Sequence, residues 1–142
     1  MKIFFRVLFG VSVLYSCTQK MEETQNSQKE RLSSTALDSI QPTVIRYDSI
    51  VDLGEVKDIA EGEFNIVNEG PNPLHVAAIS PSCGCTTATK APKNPLAIGD
   101  SLKIDIKVDS DRLEKGEFEK TVTVLSNSQE RVLFLRIIGK KV

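Results

Sequence analysis

Between Gly54 and Gly139 the chain is interrupted at short intervals by glycine and proline: Gly54, Gly62, Gly70-Pro71, Pro73, Pro81, Gly84, Pro92, Pro95, Gly99, Gly116 and Gly139. Glycine weakens a helix interior and proline breaks one, so no amphipathic helix of useful length fits between these points. Alternation does fit. Leu102-Lys103-Ile104-Asp105-Ile106-Lys107-Val108 is apolar at every second position, as burial of one strand face demands. Phe118, Lys120, Val122 and Val124 share one face of a following strand, with Thr121 and Thr123 on the other. Phe64, Ile66 and Asn68 share a face of an earlier strand. Leu74, Val76 and Ala78 do so in the next, which Ile79 ends. Val132 to Ile138 is apolar at nearly every position except Arg136. That run predicts either burial on both faces or a central place in a sheet.

Turn chemistry separates the strands. Gly70-Pro71-Asn72-Pro73, Ala97-Ile98-Gly99-Asp100 and Glu114-Lys115-Gly116-Glu117 combine residues that permit positive φ, fix φ, or cap the backbone locally. Six or seven short strands with turns every 8–12 residues predict an all-β fold, an immunoglobulin-like antiparallel β-sandwich over residues 44–142. The short connections leave no room for the long crossovers of a parallel sheet. About 100 residues suffice for one small core.

The first residues read as an address. Lys2 and Arg6 precede the apolar stretch Val7–Tyr15, which is broken by Gly10 and Ser12. The stretch is far shorter than the ~20 residues of a spanning helix, so residues 1–16 are expected to be a signal peptide. It ends in Leu14-Tyr15-Ser16-Cys17. This resembles the bacterial lipobox, with an aliphatic residue three before a cysteine and a small residue just before it. The resemblance implies cleavage after Ser16 and lipidation of Cys17. Thr18 to Pro42 is rich in Gln, Ser, Thr, Glu and Lys and carries no apolar stripe, so residues 17–43 are expected to form the lipidated cysteine and a disordered tether. A flexible chain of that length holds a domain on average roughly 25–30 Å from its anchor. Glu22-Glu23, close behind Cys17, resembles the acidic export tags of some Bacteroidetes lipoproteins; plain solvated charge is the favoured account.

Composition removes whole function classes. Lys plus Arg number 18 against 19 Asp plus Glu, for a net charge of −1. Cleavage after Ser16 removes Lys2 and Arg6 and leaves about −3. Neither value provides the basic footprint of a nucleic-acid binder. A single histidine, His75, excludes any site built on two. No nucleophile elbow, phosphate loop or recognisable Cys-His pair is present. The carboxylates of Asp105, Asp109, Asp111, Glu114, Glu117 and Glu119 alternate with lysines, as on a solvated face. Asp109-Ser110-Asp111 hints at a calcium loop but lacks the glycine and terminal glutamate at the required offsets. The chain is expected not to be an enzyme and to hold no cofactor.

Four landmarks stand in order: Asn68-Glu69-Gly70 with Pro73-Leu74, then Ser82-Cys83-Gly84-Cys85-Thr86, then Ile98-Gly99-Asp100-Ser101, then Gly116 with the strand ending Leu125-Ser126-Asn127. A closing strand ends in Gly139. The set resembles the bacterial family known as domain of unknown function 1573, over roughly residues 44–142. Two features depart from that family's pattern. Leu53 replaces the usual phenylalanine before Gly54, and the stretch from Gly54 to Asn68 is about two residues shorter. The resemblance implies an immunoglobulin-like domain, commonly on a Bacteroidetes lipoprotein, and assigns no activity.

With Cys17 lipidated, Cys83 and Cys85 are the two remaining thiols. An oxidising envelope makes pairing their default. In an extended strand the Cα atoms of residues i and i+2 lie near 6.8 Å, the upper end of the disulfide range, and a bend or positive φ at Gly84 would close the gap. Three readings stay open: a structural staple, a redox pair helped by Lys90 and Lys93, and a soft-metal site for an ion such as Cu(I). Only His75 and Met21 could add ligands to the last, and His75 is expected to face solvent. The leading expectation is a non-enzymatic envelope binding or assembly module, anchored to the outer membrane through Cys17. It would contact an unidentified envelope protein through a sheet edge or the Ser80–Pro95 loop. The alternative is redox or copper handling through Cys83 and Cys85.

Overall fold

The alternating segments pair into two four-stranded sheets. They are seen in a computed structural model that describes residue 37 and residues 39–142. The strands are β1 (Val44–Tyr47), β2 (Ile50–Val56), β3 (Ile59–Gly70), β4 (Val76–Pro81), β5 (Thr86–Ala88), β6 (Ser101–Asp109), β7 (Gly116–Ser126) and β8 (Val132–Lys141). One sheet has the order β1-β3-β6-β5 and the other β2-β8-β7-β4. The expected signal peptide, Cys17, Met21, Glu22-Glu23 and the tether through residue 36 lie outside the described residues.

The predicted apolar faces meet between the sheets. Phe64, Ile66, Ile104, Ile106 and Val108 from the first sheet oppose Val122, Val124, Leu133, Leu135 and Ile137 from the second, all essentially inaccessible. Each such side chain contributes about 1.5–3 kcal/mol by leaving water. Gly62 is needed where the sheets approach closely. A Cβ there would lie 2.9 Å from both Val51 Cγ1 and Leu53 Cδ2. The two β2 side chains, Leu53 among them, occupy the space that the glycine leaves. β3 pairs with β6 in unbroken register from Ile59↔Asp109 to Val67↔Ser101.

One end of the sandwich is organised by two asparagines. Asn68 is 0% exposed. Its Oδ1 accepts from Thr43 Oγ1 at 2.8 Å and from the Gly70 amide at 3.0 Å. Its Nδ2 donates to the carbonyls of Asn72, Leu96 and Ala97 at 3.0–3.2 Å. Asn127 acts similarly: Oδ1 accepts from the His75 amide at 2.7 Å, and Nδ2 donates to the carbonyls of Gln41 and Pro73. Backbone bonds join the same segments, from the Gly99 amide to Asn68 O and from the Thr43 amide to Asn127 O.

Several expectations change. The sandwich has eight strands rather than six or seven. β2 and β8 pair in parallel: a parallel pair needs a long connection, and the whole intervening domain supplies it. In β4 a bulge between Val76 and Ala78 shifts the alternation, so that Ile79 opposite Val124 packs inward and Ala78 opposite Leu125 turns outward. Val132–Ile138 lies centrally in its sheet, between β2 and β7, but only one of its faces is buried; Val132 and Phe134 are exposed. Ordered contacts also begin upstream of residue 44, since Gln41, Pro42 and Thr43 hydrogen-bond to Asn127 and Asn72.

Asn68→Ala would strand several buried donors and acceptors at once, and we expect it to lower stability by about 3 kcal/mol or more. Glu61→Ala, which breaks an exposed pair with Lys107, should change stability by less than about 1 kcal/mol. Urea unfolding midpoints of the two variants check the contrast.

Candidate functional site

β4 ends at Pro81 and β5 begins at Thr86. The chain therefore passes from the second sheet to the first through Ser82, Cys83, Gly84 and Cys85. The Cys83 and Cys85 sulfurs are bonded to each other, with Cα atoms 5.3 Å apart. That separation sits well inside the usual disulfide range. Gly84 keeps an ordinary φ; the positive-φ glycines are Gly54, Gly70, Gly99 and Gly116. Of the two expected routes to closure, bending is the one used.

The corner is held by bonds that do not involve sulfur. The Ser82 amide donates to Thr121 O at 2.8 Å, and the Thr121 amide donates to Ser82 Oγ at 3.1 Å. The Thr86 amide donates to Cys83 O, and the Asp109 amide to Cys85 O. Arg112 Nη1 donates to Gly84 O at 2.9 Å, while Arg112 Nε lies 3.4 Å from Asp109 Oδ2. The two sulfurs differ in environment. Cys85 is buried at 7% exposure, and Cys83 is half-buried. Thr86 Oγ1 lies 3.5 Å from Cys83 Sγ and 3.8 Å from Cys85 Sγ. Disulfide sulfur carries no proton, so the hydroxyl is the donor to either.

The other candidates do not converge here. Lys90 and Lys93 are exposed on the loop after β5. The cation that touches the corner is instead Arg112, from the short 3-10 turn Ser110–Arg112. It sits 28 residues from Gly84, and no local motif marks it. Thr86 belongs to the sequence signature, but its reach to both sulfurs depends on the corner's bend. His75 lies at the other end of β4, and the six residues of that strand span roughly 20 Å. Among the described residues no group of three or more His, Cys, Asp or Glu side chains could hold a metal. Asp109, part of the faint calcium pattern, accepts from the Asp111 amide and caps the 3-10 turn.

The two outward faces of the sandwich are unlike. On the first sheet, ion pairs join Lys103 to Glu63 at 3.0 Å, Lys107 to Glu61, and Arg46 to Glu69 at 2.9 Å, and Ile59 is its one strongly exposed apolar side chain, at 66%. The second sheet instead presents Phe134 at 63%, Ile50 at 48% and Val132 at 43% exposure. Cross-strand neighbours bring Thr123 beside Phe134 and Leu125 beside Val132. Arg136 stands among them and donates twice to Glu119, at 2.6 and 2.8 Å. That hydrogen-bonded guanidinium holds the Glu119 carboxyl below its ordinary range. An open depression of about 650 Å³ at the Gly54 end of this sheet is lined by Asp52, Glu55, Glu117 and Lys140 among others. It does not include the cysteine corner.

The signature corner, the Asn68 turn and the Gly99 and Gly116 turns all lie within the residues that one family profile matches. The profile of that family, described as "Protein of unknown function (DUF1573)", matches residues 46–141. The chain belongs to this family. The fold of this DUF1573 domain recurs in solved structures. A protein of unknown function from Porphyromonas gingivalis W83 aligns with a TM-score of 0.63 at 18% identity. The alignment covers 70% of this chain and 47% of that one, so the chain spans about half the length of that relative. The ASH/PapD-like domain 7 of human CEP192 aligns over 96% of this chain and 98% of its own, with a TM-score of 0.52 at 10% identity. The VesB protease of Vibrio cholerae aligns over 79% of this chain but 34% of its own, at TM-score 0.53 and 16% identity. These likenesses establish an immunoglobulin-like fold. No curated protein matches the sequence.

Because the disulfide closes a loop of sequence separation 2, it restricts the unfolded chain very little. Replacing both cysteines, Cys83→Ser with Cys85→Ser, should cost well under the ~3 kcal/mol associated with a 15-residue loop. Thermal unfolding of the double variant beside the oxidised parent measures this.

Proposed function

We propose that this DUF1573 domain is a non-enzymatic protein-docking module of a lipid-anchored envelope protein, and that the outer face of the β2-β8-β7-β4 sheet is its docking surface. The observation that carries the reading is the contrast between the faces. Ion pairs run across the outer face of one sheet and leave Ile59 exposed near its end, whereas the other gathers Phe134, Ile50 and Val132 in solvent around the Arg136–Glu119 pair. Exposed apolar groups gathered on one face and rimmed by polar ones are typical of interaction sites. Aromatic and arginine side chains carry most of the energy at such sites. The Ser80–Pro95 segment expected from sequence to be a contact loop contains the end of β4 and all of β5, and only its start borders this sheet, at the β4 edge. Pro81 has no N–H and blunts that edge against strand addition.

The anchor rests on the sequence. Lys2, Arg6, the apolar stretch and Leu14-Tyr15-Ser16-Cys17 support lipidation at Cys17 and an outer-membrane location. The partner is a second envelope protein, and the weakly acidic composition gives no reason to expect nucleic acid.

Two experiments in cells test the two parts. A photo-crosslinking residue at position 134 of the full-length protein should give a discrete protein adduct, and one at position 63 should not. The same adducts at both sites, or none at 134, would overturn the surface. Cys17→Ala should abolish metabolic labelling with an alkyne fatty acid and release the protein from membranes. Persistent label would overturn the anchor.

A further inference from the structure

We propose that Cys83–Cys85 is an exchangeable disulfide that accepts two electrons from a protein dithiol, an activity separate from docking. Two observations carry it. First, the corner does not need the S–S bond. Hydrogen bonds to Thr121 O, Ser82 Oγ, Cys83 O, Cys85 O and Gly84 O fix its backbone independently. A short-range bridge that neither closes a long loop nor holds the corner has little structural task. The same bonds would keep the two sulfurs adjacent after reduction, so that the reaction is reversible. Second, the two sulfurs are inequivalent in the way exchange requires. Cys83 is half-buried at the rim of the core, whereas Cys85 is buried.

The chemistry balances with a protein dithiol as reductant. Its first thiolate attacks Cys83 Sγ, the S–S bond breaks, and Cys85 leaves as a thiolate. Its second thiolate then attacks the partner's sulfur in the mixed disulfide, and Cys83 leaves. The partner's two thiols become a disulfide, Cys83 and Cys85 become thiols, and two protons pass to them. Two groups favour the thiolates formed on the way. Thr86 Oγ1 stands within donor reach of both sulfurs. The Arg112 guanidinium is fixed on the Gly84 carbonyl between them, its charge shared with Asp109.

The test uses the full-length protein in detergent, with a reduced two-cysteine peptide as probe. Samples are quenched in acid, alkylated and weighed by mass spectrometry. The expected result is alkylation of Cys83 and Cys85 matched by one oxidised peptide per chain, with thermal unfolding almost unchanged. Reduction only at denaturant concentrations that unfold the domain would overturn the proposal. In the single variants, Cys83 of Cys85→Ser should form a mixed disulfide with the oxidised peptide at least tenfold faster than Cys85 of Cys83→Ser. Equal rates would overturn the assignment of Cys83 as the attacked sulfur. Arg112→Gln should slow alkylation of the reduced protein several-fold near neutral pH, and Arg112→Lys should restore it. An unchanged rate in Arg112→Gln would overturn the role given to that charge.

Discussion

A single buried carboxamide sets the frame for one end of this domain. A fully enclosed Asn68 is tolerable only if its oxygen and nitrogen find partners, because an unpaired buried amide is costly. Here they find five, spread over Thr43, Gly70, Asn72, Leu96 and Ala97. These groups belong to the entry into β1, the turn after β3 and the loop before β6. Three segments that share no continuous hydrophobic face are thereby fixed relative to one another. Asn127 repeats the arrangement for Gln41, Pro73 and His75. The apolar core specifies that the sheets stack. The asparagines specify where the irregular chain at their end must lie.

This division explains what could be read from the sequence. Period-two alternation is a property of a strand with one wet face, and β3, β6 and β7 display it openly. β2 does not, because Gly54 and a register shift near Asp52 interrupt it and its partner is parallel. β5 has only three residues, too few to carry a pattern. The bulge in β4 reverses the inward set midway, and nothing in Val76-Ala77-Ala78-Ile79 signals the extra residue. The site was legible to a similar degree. The cysteines announce themselves by spacing, whereas Arg112 reaches them only through the turn that follows β6. Val132 and Phe134 were legible as apolar but not as exposed, since a continuous apolar run is equally consistent with two buried faces or with one buried face and one adhesive face.

The domain keeps its chemistry and its apolar surface on different elements. The cysteine corner joins β4 to β5, while Phe134 and Val132 lie on β8 and Ile50 on β2. Substitutions on one can therefore be made with little direct disturbance of the other. The immunoglobulin-like framework itself carries no commitment to either use, as its recurrence in a human CEP192 domain and in a Vibrio cholerae protease illustrates.

The parallel pairing of β2 with β8 has a consequence for how the domain comes into being. β2 is made among the first strands and β8 is the last. As the chain is synthesised, β2 waits for a partner until residues 132–141 have emerged. Its pairing joins residues more than eighty positions apart, the kind of non-local contact that raises a fold's contact order and slows folding. Completion of the second sheet thus waits on the strand that is made last of the eight. Until then β2 lacks its one partner strand, and the second sheet consists of β7 and β4 alone.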